Sequence, residues 1–396
     1  MKTLIWLDNL KERSGGPPTY VYNLKKSVEI NKLSDIIHFS SDFKKISTDI
    51  RSDKKILKNI YDYIPEKIRI NLSLKRYFKW ISDYYESDPL IDYNQYDVIH
   101  FHSTVDLYRS IKHLESFKGR VLLTSHTPKA PFLEIIEDVL KSNIKLVSKK
   151  NIDKLILIDE KAIERADYLI FPCQDAMEPY FNTWNNFGRL IENKSIEYLL
   201  TASPSAIVKK SYHEIRKELN IPDDAFVFVY AGRHNEVKGY DILKKAAQII
   251  FENNNSPLIY FLILGKEEPL KGLEHPNWIE IGWTNKPHDY INAGDVFILP
   301  NRETYFDLIL LEVLSLKKVV ILSNSGGNRF FLQNSNKGFF YIENLDAISL
   351  ATIIKDVSKI SKTYINDLGK NNYSVFQNNF TIESFAKNYV KLLENI

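Results

Sequence analysis

The sequence predicts an α/β protein made of two doubly wound parallel sheets. Three observations carry this. Short β-branched or aromatic runs alternate with helical patterns along the chain. Most of the runs are continuously apolar, as strands covered on both faces require. At 396 residues the chain is long enough for two domains, each with its own core. Hydrophobic residues at 44% and charged residues at 26% fit a globular protein and exclude a disordered or fibrous one.

In chain order, the first half offers the strands TLIWL (3–7), DVIHF (97–101), RVLLTS (120–125) and DYLIFP (167–172). The second half offers FVFVYAG (226–232), LIYFLILG (258–265), WIEIG (278–282), DVFILP (295–300) and VVILS (319–323). Between them, TASPS breaks both periodicities and places a boundary near residue 205. The expected domains are 1–205, 206–380 and a terminal helix over 381–396, with Thr381 as N-cap and Glu383 in the first turn. Two doubly wound domains present their ligand crevices at the strand C-termini, so such a pair can hold a donor on one side and an acceptor on the other.

The N-terminus MKTLIWLDNLKERSGG is too short in apolar residues for a signal peptide and meets an acid at Asp8. No apolar run approaches the roughly 20 residues that span a bilayer. Cys173 is the only cysteine and cannot form an internal disulfide. A cytoplasmic setting is therefore expected. Residues 42–80 hold eleven Lys and Arg against five Asp and Glu, interleaved with Tyr61, Tyr63, Tyr77, Phe78 and Trp80. This pattern suits an anionic membrane surface or anionic partner, or else a solvated Lys-rich helical face. No nucleic-acid motif accompanies the charge.

The chemistry-bearing stretches stand after predicted strands. Arg233, Lys238 and Gly239 lie between FVFVYAG and the helical pattern YDILKKAAQII, placing two cations at a crevice rim where they can neutralise a diphosphate. After DVFILP, the segment NRETYFD leads into LILLEVLSL. A helix N-terminus near Phe306 to Leu308 would offer amides to an anion, and Glu312, about one turn inside, can accept from a ribose diol. Gly326-Gly327 permits a close backbone approach to a ligand. Gly15 and Gly16 follow the first strand without forming GxGxxG, and no Walker lysine follows, which weakens dinucleotide and P-loop readings.

These motifs, in this order, resemble the retaining glycosyltransferases of family 4, which have the GT-B fold of two Rossmann-like domains facing a central cleft. The resemblance runs nearly the whole length: the GG loop, DVIHFHS (97–103), TSHTP (124–128), RADYLIFPCQ (165–174), AGRHNEVKG (231–239), FLILG (261–265) and DVFILPNRETYFDLILLEVLSLKKVVILSNSGG (295–327). It implies that Arg233 and Lys238 hold the donor diphosphate and stabilise the leaving group. Glu312 would bind the ribose, amides around Phe306, Asp307 and Leu308 would contact phosphate, and Gly16 would approach it from the other domain. His126 would touch the donor sugar, while His100 and His102 are expected to be structural. Trp283, Thr304 and Tyr305 complete the expected donor-binding set.

Three departures stand out. The family usually has two glutamates eight apart, but eight before Glu312 is Thr304 and nine before is Glu303, so either can fill the first position. Asp307 stands where the family commonly has glycine, and NRFF replaces the glutamate usual after the GG turn.

The expected activity is transfer of a glycosyl unit from a nucleotide-sugar, a UDP-sugar first, with retention. Front-side attack would be assisted by the departing diphosphate, with no metal and no cofactor. The expected acceptor is a saccharide on a lipid carrier in surface polysaccharide or glycoconjugate synthesis, or a protein or peptide second, with peripheral attachment to the inner face of a membrane. Two alternatives are weighed: a catalytically silent GT-B partner subunit that recruits an acceptor, and an epimerase of the same fold.

Overall fold

The computed structural model describes residues 1–8, 16–43, 64–85, 91–140, 142–252, 258–334 and 338–396. They divide into two compact units, one of Met1–Phe171, Pro179–Leu199 and Ala386–Ile396, the other of Pro172–Glu178 and Leu200–Phe385. Residues 172–178 and 200–205, which the sequence reading assigns to the first domain, fall in the second unit.

The first unit holds a parallel sheet of β1 (Thr3–Trp6), β2 (Ile37–Phe39), β3 (Val98–Phe101), β4 (Arg120–Leu123), β5 (Tyr168–Phe171) and β6 (Ser195–Tyr198), in the order β2-β1-β3-β4-β5-β6. Every residue of β1 and β3 is buried, and the two pair in register from Thr3 with Val98 to Trp6 with Phe101. The strand order reverses between them, so the loops after β1 and β3 flank the ligand crevice of this sheet. Helix Ile382–Asn395 is tied on by Tyr389, whose hydroxyl meets His100 Nδ1 at 3.1 Å, and by the Ala386 amide, which donates to Ser27 Oγ at 2.8 Å.

The second unit holds β7 (Phe226–Ala231), β8 (Ile259–Leu264), β9 (Trp278–Gly282), β10 (Val296–Leu299), β11 (Val319–Ser323) and β12 (Phe339–Ile342), all parallel, in the order β12-β11-β10-β7-β8-β9. Read from the β9 edge, this is the 3-2-1-4-5-6 order of a Rossmann sheet, with its reversal between β7 and β10. Phe228, Phe261, Ile298 and Ile321 line one face of the core.

Three strands are not among those expected from the sequence, and all three, β2, β6 and β12, are sheet edges. β2 is three residues long, and in β6 no residue is buried, so neither carries a continuous apolar run. β12 is apolar but only four residues long.

A buried ionic node sets the base of the second sheet. Asp295 Oδ2 accepts from Arg216 Nη2 at 2.8 Å and from the Val227 amide at 2.7 Å, and Oδ1 accepts from the Tyr212 hydroxyl at 3.1 Å. Arg216, fully buried, also donates to the carbonyls of Ala293 and Ala225 at 2.9 Å each. Beside it Lys318 donates to the Asn292 and Gly294 carbonyls, and burial pushes its pKa down to about 8. Replacing Arg216 by Met leaves Asp295 buried without its cation, an arrangement that costs about 3–5 kcal/mol. Urea unfolding of Arg216→Met should show a loss of that order in the transition of the second unit; a loss under about 1 kcal/mol would contradict the node.

Candidate functional site

The loops that leave β7 and β10 flank the reversal of the second sheet, and Arg233, Lys238 and residues 303–307 of the predicted site stand on them. Helix Tyr240–Phe251 begins at Gly239, an N-cap with φ of 65°. A Cβ there would overlap the Pro300 carbonyl oxygen, so the close approach of the two loops requires glycine. Just before it, the Lys238 amide donates to Asn235 Oδ1 at 2.9 Å, and the Arg302 amide donates to the Val237 carbonyl at 2.9 Å. Arg233 is exposed, and its carbonyl accepts from the Tyr230 hydroxyl at 2.8 Å.

Lys238 is not a lone cation. Its Nζ pairs with Asp307 Oδ1 at 2.8 Å, and Asn301 Nδ2 donates to the other Asp307 oxygen. Asp307 is the N-cap of helix Leu308–Ser315, yet its side chain makes no capping hydrogen bond. The carboxylate turns instead toward Lys238, and the first-turn amides keep their capacity for another acceptor. Tyr305 and Phe306 are buried, Phe306 against Phe330, Phe331 and Phe380, so these residues can offer a ligand only backbone.

Arg302 is structural. Its two terminal nitrogens fork onto Asp241 at 2.7 Å each, and it also donates to the Glu236 carbonyl. Thr304 is buried at 1% exposure, whereas Glu303 is half-buried. Gly326 and Gly327 pack against the backbone of their own chain: a Cβ on either would overlap the carbonyl oxygen of Thr304 or Tyr305. Packing on residues 304–305 by itself requires glycine at both positions. Glu178 accepts from the Gly326 amide at 2.5 Å and pairs with Arg329 at 2.7 Å.

Glu312 lies in the second turn of its helix and meets His288 Nε2 at 2.9 Å, each side chain about a quarter exposed. No local pattern announces this partner, because 24 residues and a strand separate the two. Trp283 follows Gly282, which has a φ of 73°, and is 77% exposed.

In the first unit His100, His102 and His126 form a stack. His102 Nδ1 meets His126 Nε2 at 2.7 Å, and His100 is satisfied on both nitrogens by Tyr389 and Thr124. Tyr20, from helix Gly16–Ile30, packs on His126 with ring centroids 4.6 Å apart. His126 has a φ of 60°, a left-handed conformation uncommon for a residue with a Cβ. Burial lowers the pKa of His100 and His126 to about 3 and that of His102 well below its usual value. All three imidazoles are neutral at pH 7. Gly16 opens its helix with nothing near its missing Cβ, so packing does not require glycine there. Gly15 lies outside the described residues, as do residues 44–63 of the basic segment.

Residues 211–375 match the family model Glycosyl transferases group 1. An Escherichia coli UDP-Gal:alpha-D-GlcNAc-diphosphoundecaprenol alpha-1,3-galactosyltransferase is 28% identical over 176 residues, which is 42% of this chain and 44% of the relative. The Escherichia coli O-antigen biosynthesis glycosyltransferase WclY is 26% identical over 200 residues, covering 46% of this chain and 50% of the relative. The chain thus spans about half the length of the curated relatives it matches. The solved structure of Anabaena Alr3699/HepE in complex with UDP matches over 100% of both chains with a TM-score of 0.65 and 14% identity. A likeness at that identity shows the fold alone, which is the two-domain α/β GT-B fold.

The histidine stack has a pH signature. Between about pH 3 and 6.5 the unfolded chain protonates these imidazoles and the native chain does not, so their contribution is complete above 6.5 and is lost as pH falls. Buried Asp106 and Asp159, each raised to about 7 by burial first, contribute with the opposite sign, losing stability as pH rises from the ordinary carboxylate range. The histidine part is isolated by comparison with His100→Gln. Its unfolding free energy should fall less steeply below pH 6, by about 1.4 kcal/mol per pH unit. Parallel pH profiles for the two proteins would refute the assignment.

Proposed function

We propose that this chain is a retaining glycosyltransferase that moves a sugar from a UDP-sugar to an acceptor in surface polysaccharide or glycoconjugate synthesis. The observation that carries the reading is the helix N-terminus at Asp307-Leu308, left uncapped beside Lys238 at the reversal of a Rossmann sheet. The family match over 211–375 and the two relatives, one named for a UDP-Gal donor and a diphosphoundecaprenol-linked acceptor, support it.

Arg233, Lys238 and the first amides of helix Leu308–Ser315 take the donor diphosphate and stabilise the charge that develops as the glycosidic bond breaks. Lys238 exchanges the Asp307 carboxylate for phosphate on binding. Glu312, held by His288, accepts from the ribose diol, and Trp283 offers an aromatic face to the base. Glu303 meets the transferred sugar, and neutral His126 is a candidate for a sugar hydroxyl. No metal takes part in the transfer, since fixed cations and a helix dipole supply the charge a metal would bring.

A lipid-linked acceptor has support in helix Glu66–Tyr85. It exposes Ile68 (51%) and Leu72 (40%) among exposed Lys67, Lys75, Arg76 and Lys79, a face suited to an anionic bilayer surface. Among the described residues no helix is long and apolar enough to cross a membrane. A protein or peptide acceptor is the second choice.

A catalytically silent GT-B subunit is the runner-up, and one observation favours it. Asp307 sets a carboxylate beside the amides that would hold phosphate.

Turnover of a nucleotide-sugar panel decides between the two readings. UDP release with retention in the product, not increased by added Mg²⁺, is expected; release from no donor would leave the silent reading. In the same assay Lys238→Ala should lower kcat/KM about 100-fold or more, while Asp307→Asn lowers the donor KM. For the membrane face, Lys75, Arg76 and Lys79 changed together to Gln should reduce co-sedimentation with vesicles containing anionic lipid. Unchanged binding would exclude this helix as the lipid contact.

A further inference from the structure

Among the described residues, one trio of metal-ligating side chains comes together apart from the anion site. His234, Glu267 and Glu280 bring one ligand atom each to within 4.8 Å of one another. His234 follows β7, Glu267 follows β8 and Glu280 lies in β9, three strands adjacent in the sheet. The parallel topology therefore gathers at one corner residues that are 33 and 13 positions apart, a spacing no sequence motif announces.

The histidine is the telling member. His234 is fully buried, and among the described residues neither ring nitrogen makes a well-formed hydrogen bond, the Leu264 carbonyl acting only as a weak acceptor. Its ring lies flat on Tyr240, with centroids 4.0 Å apart and planes within 7°. A buried imidazole without a well-formed hydrogen bond is costly, and an ion is a partner that removes the cost.

The two carboxylates are already oriented. Glu280 Oε1 accepts from the Tyr240 hydroxyl and from Trp278 Nε1, both at 2.7 Å. Glu267 Oε1 accepts from the Gly272 amide at 3.0 Å. A Cβ on Gly272 would overlap the Glu280 carboxylate, so the loop between β8 and β9 is drawn tightly over the cluster. Outer partners of this kind fix the ligands of metal centres.

We infer that His234, Glu267 and Glu280 bind a divalent cation of the borderline class, such as Zn²⁺, Co²⁺ or Mn²⁺. One imidazole with two carboxylates suits these ions, and three protein ligands leave a position for water. Tetrahedral ligands at about 2.1 Å from zinc stand about 3.4 Å apart, so the two exposed carboxylates close by about 1 Å on binding. The ion pins the ends of β7, β8 and β9, and with them Arg233 next to His234 and Trp283 beyond Glu280. Its role is structural, and it stands whether or not the chain transfers sugar.

The test uses the full-length protein, stripped with a chelator and titrated with Co²⁺ while visible absorption is followed. One Co²⁺ per chain with a ligand-field band is expected, together with a Tm raised by about 3 °C or more when Zn²⁺ is added well above its Kd. Glu267→Gln and Glu280→Gln should each weaken Co²⁺ binding at least tenfold, and His234→Gln should abolish it. Should His234→Gln fail to fold, Glu267→Gln, altered at an exposed side chain, still decides. Absence of both the band and the Tm shift in the unaltered protein overturns the site, as does Co²⁺ affinity unchanged in the two glutamine variants.

Discussion

Backbone contact that only glycine permits shapes the carboxyl edge of the second sheet. Gly239 packs on the Pro300 carbonyl, Gly265 on that of Gly232, and Gly326 and Gly327 on those of Thr304 and Tyr305. Each contact joins the loop after one strand to the loop after a neighbour, and three of the four glycines have positive φ. Lys238, Asn301 and Asp307 meet because the Gly239 and Pro300 backbones touch. The polar geometry is a consequence of that packing, and a methyl group at Gly239 would move the cation before it changed any charge.

This ordering explains what was legible in the sequence. The strand-ending runs at 226–232 and 295–300 announced where the loops begin, and Arg233, Lys238 and Glu312 could be placed from them. The partners could not be read. His288 reaches Glu312, Glu178 reaches the Gly326 amide and Asp241 takes Arg302, all through contacts between elements far apart in sequence. Gly326-Gly327 permits a close backbone approach, and the carbonyls of Thr304 and Tyr305 make one. Edge strands failed for a simpler reason. Short and partly solvated, β2 and β6 lack the continuous apolar run that betrays a strand covered on both faces.

Within RETYFDLILLE the four charged residues have four different situations. Arg302 is held by Asp241 and braces the loop. Glu303 is half-buried, Asp307 holds Lys238, and Glu312 holds His288. The apolar LILL between them faces partly inward, with Leu310 and Leu311 buried, and this anchors the helix whose first turn stays uncapped. Hydrophobic burial fixes the axis, and the polar ends are then free to differ in function.

Trp283 gives the second unit an optical handle. Trp6, Trp184 and Trp278 are buried and Trp80 is half-buried, while Trp283 stands 77% in solvent. An aqueous quencher such as iodide reaches this indole first, so the quenchable fraction of the emission belongs mainly to the loop after β9. Any planar ring that settles on that loop will shelter the indole, and the protein's own fluorescence then reports occupancy without a label.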